Sequence, residues 1–450
     1  MNIKSINKVF FIGIGGIGMS SLAKYFIKKN IKVFGYDREE SYITKDLVKL
    51  GVNIIYDVNE LIFSEFNKQK QEILVVYTPA ISTTHPIFAV FNENGFKTYK
   101  RSEVLEIISK YSKCIAVAGT HGKTTTTAIL AHILNVADLS YCAFVGGIME
   151  NYNSNFLYNG DEYILVEADE FDRSFLKLSP NYACITSIDI DHLDIYEDSK
   201  KLHEAFIEFK NNIVEGGFLI SNEQVNIKSI KYGKSDNSDY VVKNIKCKKN
   251  FTQFDLHFKD FKIKNIKIKL QGDYNIMNTT AAISIALKLE VSVQNILNAL
   301  ESFKGVKRRF SYKIDKESIV LIDDYAHHPE EIKQVFNTLK SIYPNDNLLA
   351  VFQPHLFSRT RDLLDEFAFE LSKFDAVILL EIYAAREEPI EGVNSKKLLN
   401  KISSKYKILC DKSQLSHHIK KIGFKVNVTL GAGDIANEVE QIKNDLVYAI

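Results

Sequence analysis

The apolar run Cys114-Ile115-Ala116-Val117 leads into Ala118-Gly119-Thr120-His121-Gly122-Lys123-Thr124-Thr125-Thr126-Thr127, and the helical pattern Ala128 to Leu134 follows directly. Apolar run, glycine turn and helix in that order fix a strand–loop–helix unit and so point to an α/β fold. In such a unit several backbone N–H groups converge on one spot at a helix N-terminus, where the helix dipole also favours an anion. Lys123 adds a charge suited to the β/γ-phosphates of a nucleotide, and Thr124 adds a hydroxyl suited to Mg2+. The common G-x-x-x-x-G-K-[ST] pattern needs glycine at 117, where Val117 stands, so the loop is a variant. An ordinary turn that contains Gly-Lys-Thr is the bland alternative, and the order of the flanking elements favours phosphate binding over it.

A chain of 450 residues exceeds what one hydrophobic core organises, which predicts two to four domains. With 46% hydrophobic and 25% charged residues it reads as an ordinary globular protein and not a disordered one. A formal net charge of +1 supplies no long-range field for nucleic acid or anionic membrane, so neither is expected as a partner. The expected assembly is a monomer or a weak dimer. The five cysteines form no C-x-x-C pair and are odd in number, as in reduced thiols. Gly13, Gly15, Gly16 and Gly18 interrupt the first apolar run, which argues against a secretory signal and for a cytoplasmic protein.

Strand and helix patterns alternate from the start: Val9 to Ile14, the helix Met19 to Lys29, then Ile31 to Tyr36 and Glu72 to Tyr77. Such a series implies a parallel sheet. A second α/β block begins at Cys114, with strands at Tyr163 to Glu167 and Ala183 to Ser187. Between about 226 and 270 short alternating runs, such as Ile263 to Leu270, predict antiparallel strands with one wet face, and their lysines suit that solvated face better than a nucleic-acid patch. Helices are expected at Asn275 to Leu289 and Val293 to Phe303. A third α/β block has strands at Ser318 to Ile322, Asn347 to Phe352, Ala376 to Leu380 and Val426 to Leu430. Pattern changes place boundaries near 107 and 306, giving 1–107, 108–306 and 307–450.

Gly13-Ile14-Gly15-Gly16-Ile17-Gly18 also follows a strand and opens a helix, with Asp37 at the end of the next strand. That geometry suits a dinucleotide or any other diphosphate, with Asp37 on a ribose hydroxyl in the dinucleotide case. Glu167, Asp169 and Glu170 close one strand, and Asp189, Asp191, His192 and Asp194 close another. Carboxylates at strand ends beside a phosphate loop are placed to hold Mg2+, with a solvated loop as the alternative for Asp169, Glu170 and Asp194. Lys307-Arg308-Arg309, Asp323-Asp324-Tyr325-Ala326-His327-His328 and Gln353-Pro354-His355 with Arg359 and Arg361 mark the third block. No Cys/His spacing there supports zinc, so substrate contacts are expected.

Together these motifs, with Gly272-Asp273-Tyr274-Asn275-Ile276-Met277-Asn278 and Ile382 to Glu387, resemble the Mur ligase family over nearly the whole chain. The resemblance implies three domains: a Rossmann-like N-terminal domain for a UDP-sugar, a central P-loop ATPase domain with an antiparallel extension, and a Rossmann-like C-terminal domain for an amino acid. On it, Gly15, Gly16, Ile17, Gly18 and Asp37 hold the UDP-sugar. Gly119, Thr120, His121, Gly122, Lys123, Thr124 and Thr125 hold ATP, joined by Asn275, Asn278, Arg309 and Asp324. Thr124, Glu167 and His192 ligate Mg2+, and Lys123, Glu167 and His192 are the catalytic set. Tyr325, His327 and Arg359 lie near the incoming amino acid.

The reaction the resemblance implies activates a carboxylate by phosphoryl transfer from ATP and then forms an amide from the acyl phosphate. Phe206 stands where ligases that add later peptide residues carry a modified lysine. This favours the branch that joins L-alanine to UDP-N-acetylmuramate at the start of peptidoglycan peptide synthesis. Leu356 stands where many members of that branch have arginine, which shifts weight onto Arg359. A peptide-recycling ligase, an NAD-dependent oxidoreductase and a non-enzymatic nucleotide switch are the rival readings.

Overall fold

The computed structural model describes residues 3–447 except 62, 64, 65, 67–69, 83, 190–195, 197, 260 and 386. Three sheets organise the chain. The first contains β1 (Lys8–Ile12), β2 (Lys32–Tyr36), β3 (Asn53–Ile55), β4 (Ile73–Tyr77) and β5 (Thr98–Lys100), in the order β3-β2-β1-β4-β5. The four strand pairs are parallel, with Ile12 level with Tyr36 on one side and Tyr77 on the other. Successive residues of β1 alternate between two cores: Val9 and Phe11 pack with Leu74 and Val76, while Phe10 and Ile12 pack with Ile73 and Val75. A strand buried on both faces needs apolar residues throughout, which is why β1 and β4 read as unbroken apolar runs.

The second sheet has β6 (Lys113–Ala118), β7 (Tyr141–Met149), β8 (Ser154–Tyr158), β9 (Tyr163–Glu167), β10 (Tyr182–Ile185), β11 (Phe218–Asn222), β12 (Ile230–Gly233), β13 (Tyr240–Lys248), β14 (Phe251–Phe258) and β15 (Phe261–Ile268). Their order is β15-β14-β13-β12-β11-β10-β6-β9-β7-β8. The antiparallel edge made by β7 and β8 was not read from the sequence. The expected antiparallel stretch after residue 226 begins later than its pattern suggests, since β12 pairs in parallel with both β11 and β13. From β13 onward two-residue connections join neighbouring strands. Links that short permit hairpins and exclude parallel crossovers.

The third sheet has β16 (Ser311–Asp315), β17 (Val320–Asp324), β18 (Leu348–Phe352), β19 (Ala376–Leu379), β20 (Tyr406–Leu409) and β21 (Val426–Leu430), ordered β16-β17-β21-β18-β19-β20. Only β16 runs antiparallel. Leu348, Ala350 and Phe352 enter one core and Leu349 and Val351 the other.

By packing the chain forms two compact units: Met1–Lys243 with Asp255–Ile266 and Met277–Phe303, and Asn244–Phe254 with Lys267–Ile276 and Lys304–Ile450. In the first unit a single core runs from Val9, Phe11 and Leu22 to Ala116, Ile164 and Phe206, so the first sheet and the β6 region share buried surface. Asn155 on β8 reinforces this by donating to Ile17 O at 2.6 Å and Ser20 Oγ at 2.9 Å. Among the described residues no helix is long and apolar enough to cross a membrane.

Candidate functional site

Register brings the phosphate loop and its acids together. Val117 is level with Glu167 on β9, and Ala118 is level with Ile185 on β10, so residues 119–122, 167–170 and 186–189 emerge at one end of the sheet. The loop is docked on the segment after β10: Thr120 N–H donates to Ser187 O at 3.1 Å and His121 N–H to Ser187 Oγ at 3.0 Å. Asp189 N–H donates to Thr120 Oγ1 at 3.0 Å. The helix Lys123–Val136 then starts from Gly122, whose φ of +84° is the left-handed conformation that glycine adopts without strain. A Cβ at Gly122 would also fall 2.3 Å from Asn278 Oδ1, so Asn278 lies directly beneath the loop. Thr125 is buried in the first turn of that helix.

Thr124 Oγ1 donates to Glu167 Oε1 at 2.8 Å, and Gly146 N–H donates to Glu167 Oε2 at 2.9 Å. A hydroxyl and a carboxylate held together beside a phosphate cradle are hard oxygen donors and fit Mg2+, which takes few protein ligands when phosphates supply the rest. Among the described residues no three His, Cys, Asp or Glu side chains converge as a metal site. His192, the third expected ligand, lies outside the described residues, as do Asp191 and Asp194.

Glu170, for which a solvated loop was the alternative, is 1% exposed. Lys123 Nζ donates to its two oxygens at 2.9 and 2.7 Å and to Gly119 O at 2.6 Å. Burial pushes the Glu170 carboxyl up to about 7, with Lys123 pulling against that rise. Burial also opposes the charge on Lys123, but Glu170 and Asp169 outweigh it and keep the ammonium protonated.

At the carboxyl end of the first sheet, Gly13 and Ile14 N–H both donate to Tyr36 O, at 2.8 and 3.1 Å. The helix Ile17–Lys28 follows, with Gly16 as its extended N-cap. Asp37 lies against this loop, accepting from Gly15 N–H at 2.6 Å and from Arg38 N–H at 2.8 Å. It therefore braces the loop, and one N–H of the expected cradle is already engaged.

In the second unit Asp324 is buried at the end of β17, where Phe310 and Ala326 N–H donate to its two oxygens at 2.7 Å each. Burial pushes its carboxyl up to about 7, against the pull of Arg309. Asn275, also in this unit, donates to Gln271 O at 2.7 Å. The guanidinium groups of Arg308 and Arg309 lie 5.0 and 4.9 Å from the centre of the Tyr325 ring. His327 packs its ring 5.2 Å from Tyr325 and 5.9 Å from His355, and Nδ1 of His327 lies 2.9 Å from Tyr325 O. Arg359 Nη1 is 3.4 Å from His355 Nδ1, and His355 stacks on Tyr383. Tyr325, His327 and Arg359 are thus linked through His355, joined by Tyr383 from the segment Ile382 to Glu387, to which the sequence assigned no role. Leu356, next to this cluster, has φ +73°, a strained value for a branched side chain.

The description "Mur ligase family, catalytic domain" matches residues 8–113, "Mur ligase middle domain" residues 117–286, and "Mur ligase, glutamate ligase domain" residues 308–434. The UDP-N-acetylmuramate–L-alanine ligase of Christiangramia forsetii is 48% identical over 448 residues, which is 99% of each chain. The chain belongs to the Mur ligase family. The enzyme of the same name from Flavobacterium psychrophilum is 47% identical, again over 99% of both chains. The crystal structure of the UDP-N-acetylmuramate–alanine ligase of Thermotoga maritima superposes with a TM-score of 0.83 at 27% identity, covering 98% of this Mur ligase and 100% of the other chain. The three-domain α/β architecture expected from the sequence is that of this family. Phe206 is fully buried in this Mur ligase, with its ring 5.2 Å from Phe175, so the position forms core.

Proposed function

We propose that this Mur ligase joins L-alanine to the carboxylate of UDP-N-acetylmuramate, with ATP cleaved to ADP and phosphate, as an early cytoplasmic step of peptidoglycan synthesis. The full-length likeness to relatives that carry this activity in their names is the observation that supports it most. The geometry agrees: two glycine-opened helices, each at the carboxyl end of parallel strands, suit two phosphorylated ligands. Domain limits of 1–107, 108–306 and 307–450 belong to this reading.

A carboxylate is a poor acyl donor, so its oxygen first attacks the γ-phosphorus of ATP, and the bond to the ADP oxygen breaks. The alanine amine then attacks the acyl carbon, phosphate leaves, and the nitrogen loses its proton to form the amide. Lys123 takes phosphate in place of Glu170, and Gly119 to Thr125 present the cradle. Magnesium held by Thr124 and Glu167, with His192, would neutralise charge where an anionic carboxylate meets a triphosphate. Asn275, Asn278, Arg309 and Asp324 complete the ATP site in this reading, Gly15 to Gly18 and Asp37 the UDP-sugar site, and Tyr325, His327 and Arg359 the amino-acid site.

Phosphate release from ATP tests it, measured with UDP-N-acetylmuramate and, separately, L-alanine, glycine, L-serine or the recycled tripeptide. Release that requires both the sugar and L-alanine, with the amide product found by mass, is expected. Turnover with the tripeptide alone would overturn the assignment. Lys123→Ala should abolish ligation and leave UDP-sugar binding intact.

A further inference from the structure

Arg101 is absorbed by neither cradle above, yet it stands beside one of them. It is the first residue of the helix Arg101–Ser109, directly after β5, at the carboxyl end of the first sheet where the glycine loop also lies. Its guanidinium lies along the first turn of the helix Ile17–Lys28: a Cβ at Gly18 would fall 3.1 Å from Arg101 Cδ, Nε and Cζ. A side chain at 18 would crowd that approach.

Its own helix does not favour a cation there. The positive end of its own helix dipole opposes it, and the nearby Glu103 is engaged with Lys100 N–H at 2.7 Å. Among the described residues the side chain makes no hydrogen bond, and no carboxylate lies within 4 Å of it. Burial disfavours its charge, while the carboxylates of Asp169 and Glu167 act in its favour from the neighbouring sheet. A partly buried guanidinium with its donors unused therefore lies beside the sugar-nucleotide cradle and in the field of the acids of the phosphate loop.

We propose that Arg101 binds an oxyanion of the UDP-sugar, an assignment that rests on the proposed function. The planar fork of five N–H donors fits a phosphate or a carboxylate in bidentate fashion, and both groups belong to this substrate. The diphosphate belongs at the N-terminus of the helix Ile17–Lys28, against Gly18, and the reactive carboxylate must approach Glu167. Either anion replaces the missing partner, and Asp169 and Glu167 keep the guanidinium charged until the substrate arrives.

Calorimetric titration of the full chain with UDP-N-acetylmuramate, with UDP-N-acetylglucosamine, which has the diphosphate and no carboxylate, and with a non-hydrolysable MgATP analogue tests this. Arg101→Gln should weaken UDP-N-acetylmuramate by about tenfold or more, the worth of one charge-assisted hydrogen bond. Arg101→Lys should recover part of the loss, because it restores the charge without the fork. Affinity for the ATP analogue and the melting temperature should hold. An equal loss for both UDP-sugars assigns the diphosphate, and a loss confined to UDP-N-acetylmuramate assigns the carboxylate. Unchanged binding of both sugars overturns the inference, as does weaker ATP-analogue binding alone, which would make Arg101 only a counter-ion of Asp169 and Glu167. A parent protein that binds neither UDP-sugar would instead remove the proposed function itself.

Discussion

Replacing Glu170 with glutamine should weaken the empty protein and tighten its hold on nucleotide. The side chains of Lys123 and Glu170 are 12% and 1% exposed, so the pair is buried and solvent screens it little. Breaking a buried pair by removing one partner costs about 3–5 kcal/mol. Two features reduce that figure here. Glutamine keeps one acceptor for Nζ, while Gly119 O and Thr120 O continue to accept from it at 2.6 and 3.3 Å. Glu170 itself resists ionisation, with its carboxyl pushed up to about 7, so part of the pair's attraction only offsets burial of the acid. A net loss of about 1–3 kcal/mol remains, or roughly 2–12 °C in melting temperature at about 2–4 °C per kcal/mol for a unit of this size. With nucleotide the sign reverses: in the parent a triphosphate must displace Glu170 from Lys123, whereas the variant offers a lysine already without an anionic partner. Thermal melts with and without a non-hydrolysable MgATP analogue should show a lower starting point and a larger nucleotide shift for Glu170→Gln. A nucleotide shift smaller than the parent's would refute the reasoning, because Glu170 would then be part of the loaded site and not a stand-in for phosphate.

Gly122→Ala should cost about 1–2 kcal/mol for its left-handed backbone, plus a clash of the new Cβ with Asn278 Oδ1. Adding Asn278→Ala should recover only the clash in nucleotide titrations, and no recovery at all would show that the contact does not shape the loop. Asp324, whose carboxyl is raised by burial to about 7, keeps a proton in the folded state that the unfolded chain releases, so its contribution to stability is full below about pH 4 and is lost as pH rises to 7. Urea unfolding at pH 5 and 7.5 should show stability falling by about 2–3 kcal/mol between the two pH values, a slope that Asp324→Asn lacks. Phe206→Lys places an ammonium in a fully buried aromatic site and should cost at least about 3–5 kcal/mol, seen by denaturation, with added bicarbonate restoring no activity.

What could be read without coordinates was whatever depends on neighbours in the chain. β21 and β9 fall at the residues their apolar runs mark, because strands buried on both faces admit few polar residues. The strand, glycine turn and helix from Lys113 to Val136 were legible because they are built from consecutive residues. Edge strands such as β8 and β20 were not, since one half-exposed strand carries too short a pattern. The decisive partners in the site were also hidden, for a different reason. Glu170 meets Lys123 across 47 residues, and Arg101 reaches Gly18 across 83, through parallel registers that no local pattern encodes. Asp37 is a further case. Its position after β2 suggested a ribose contact, and the fold adds a contact with Gly15 N–H that no local pattern shows. The charges near the two cradles are thus arranged as counter-ions and braces in advance of ligand: Glu170 for Lys123, Asp37 for Gly15, Asp169 and Glu167 for Arg101. On the proposed function, each arrangement gives a group that meets an anion some compensation before the anion arrives, so substrate binding would exchange one set of charge contacts for another.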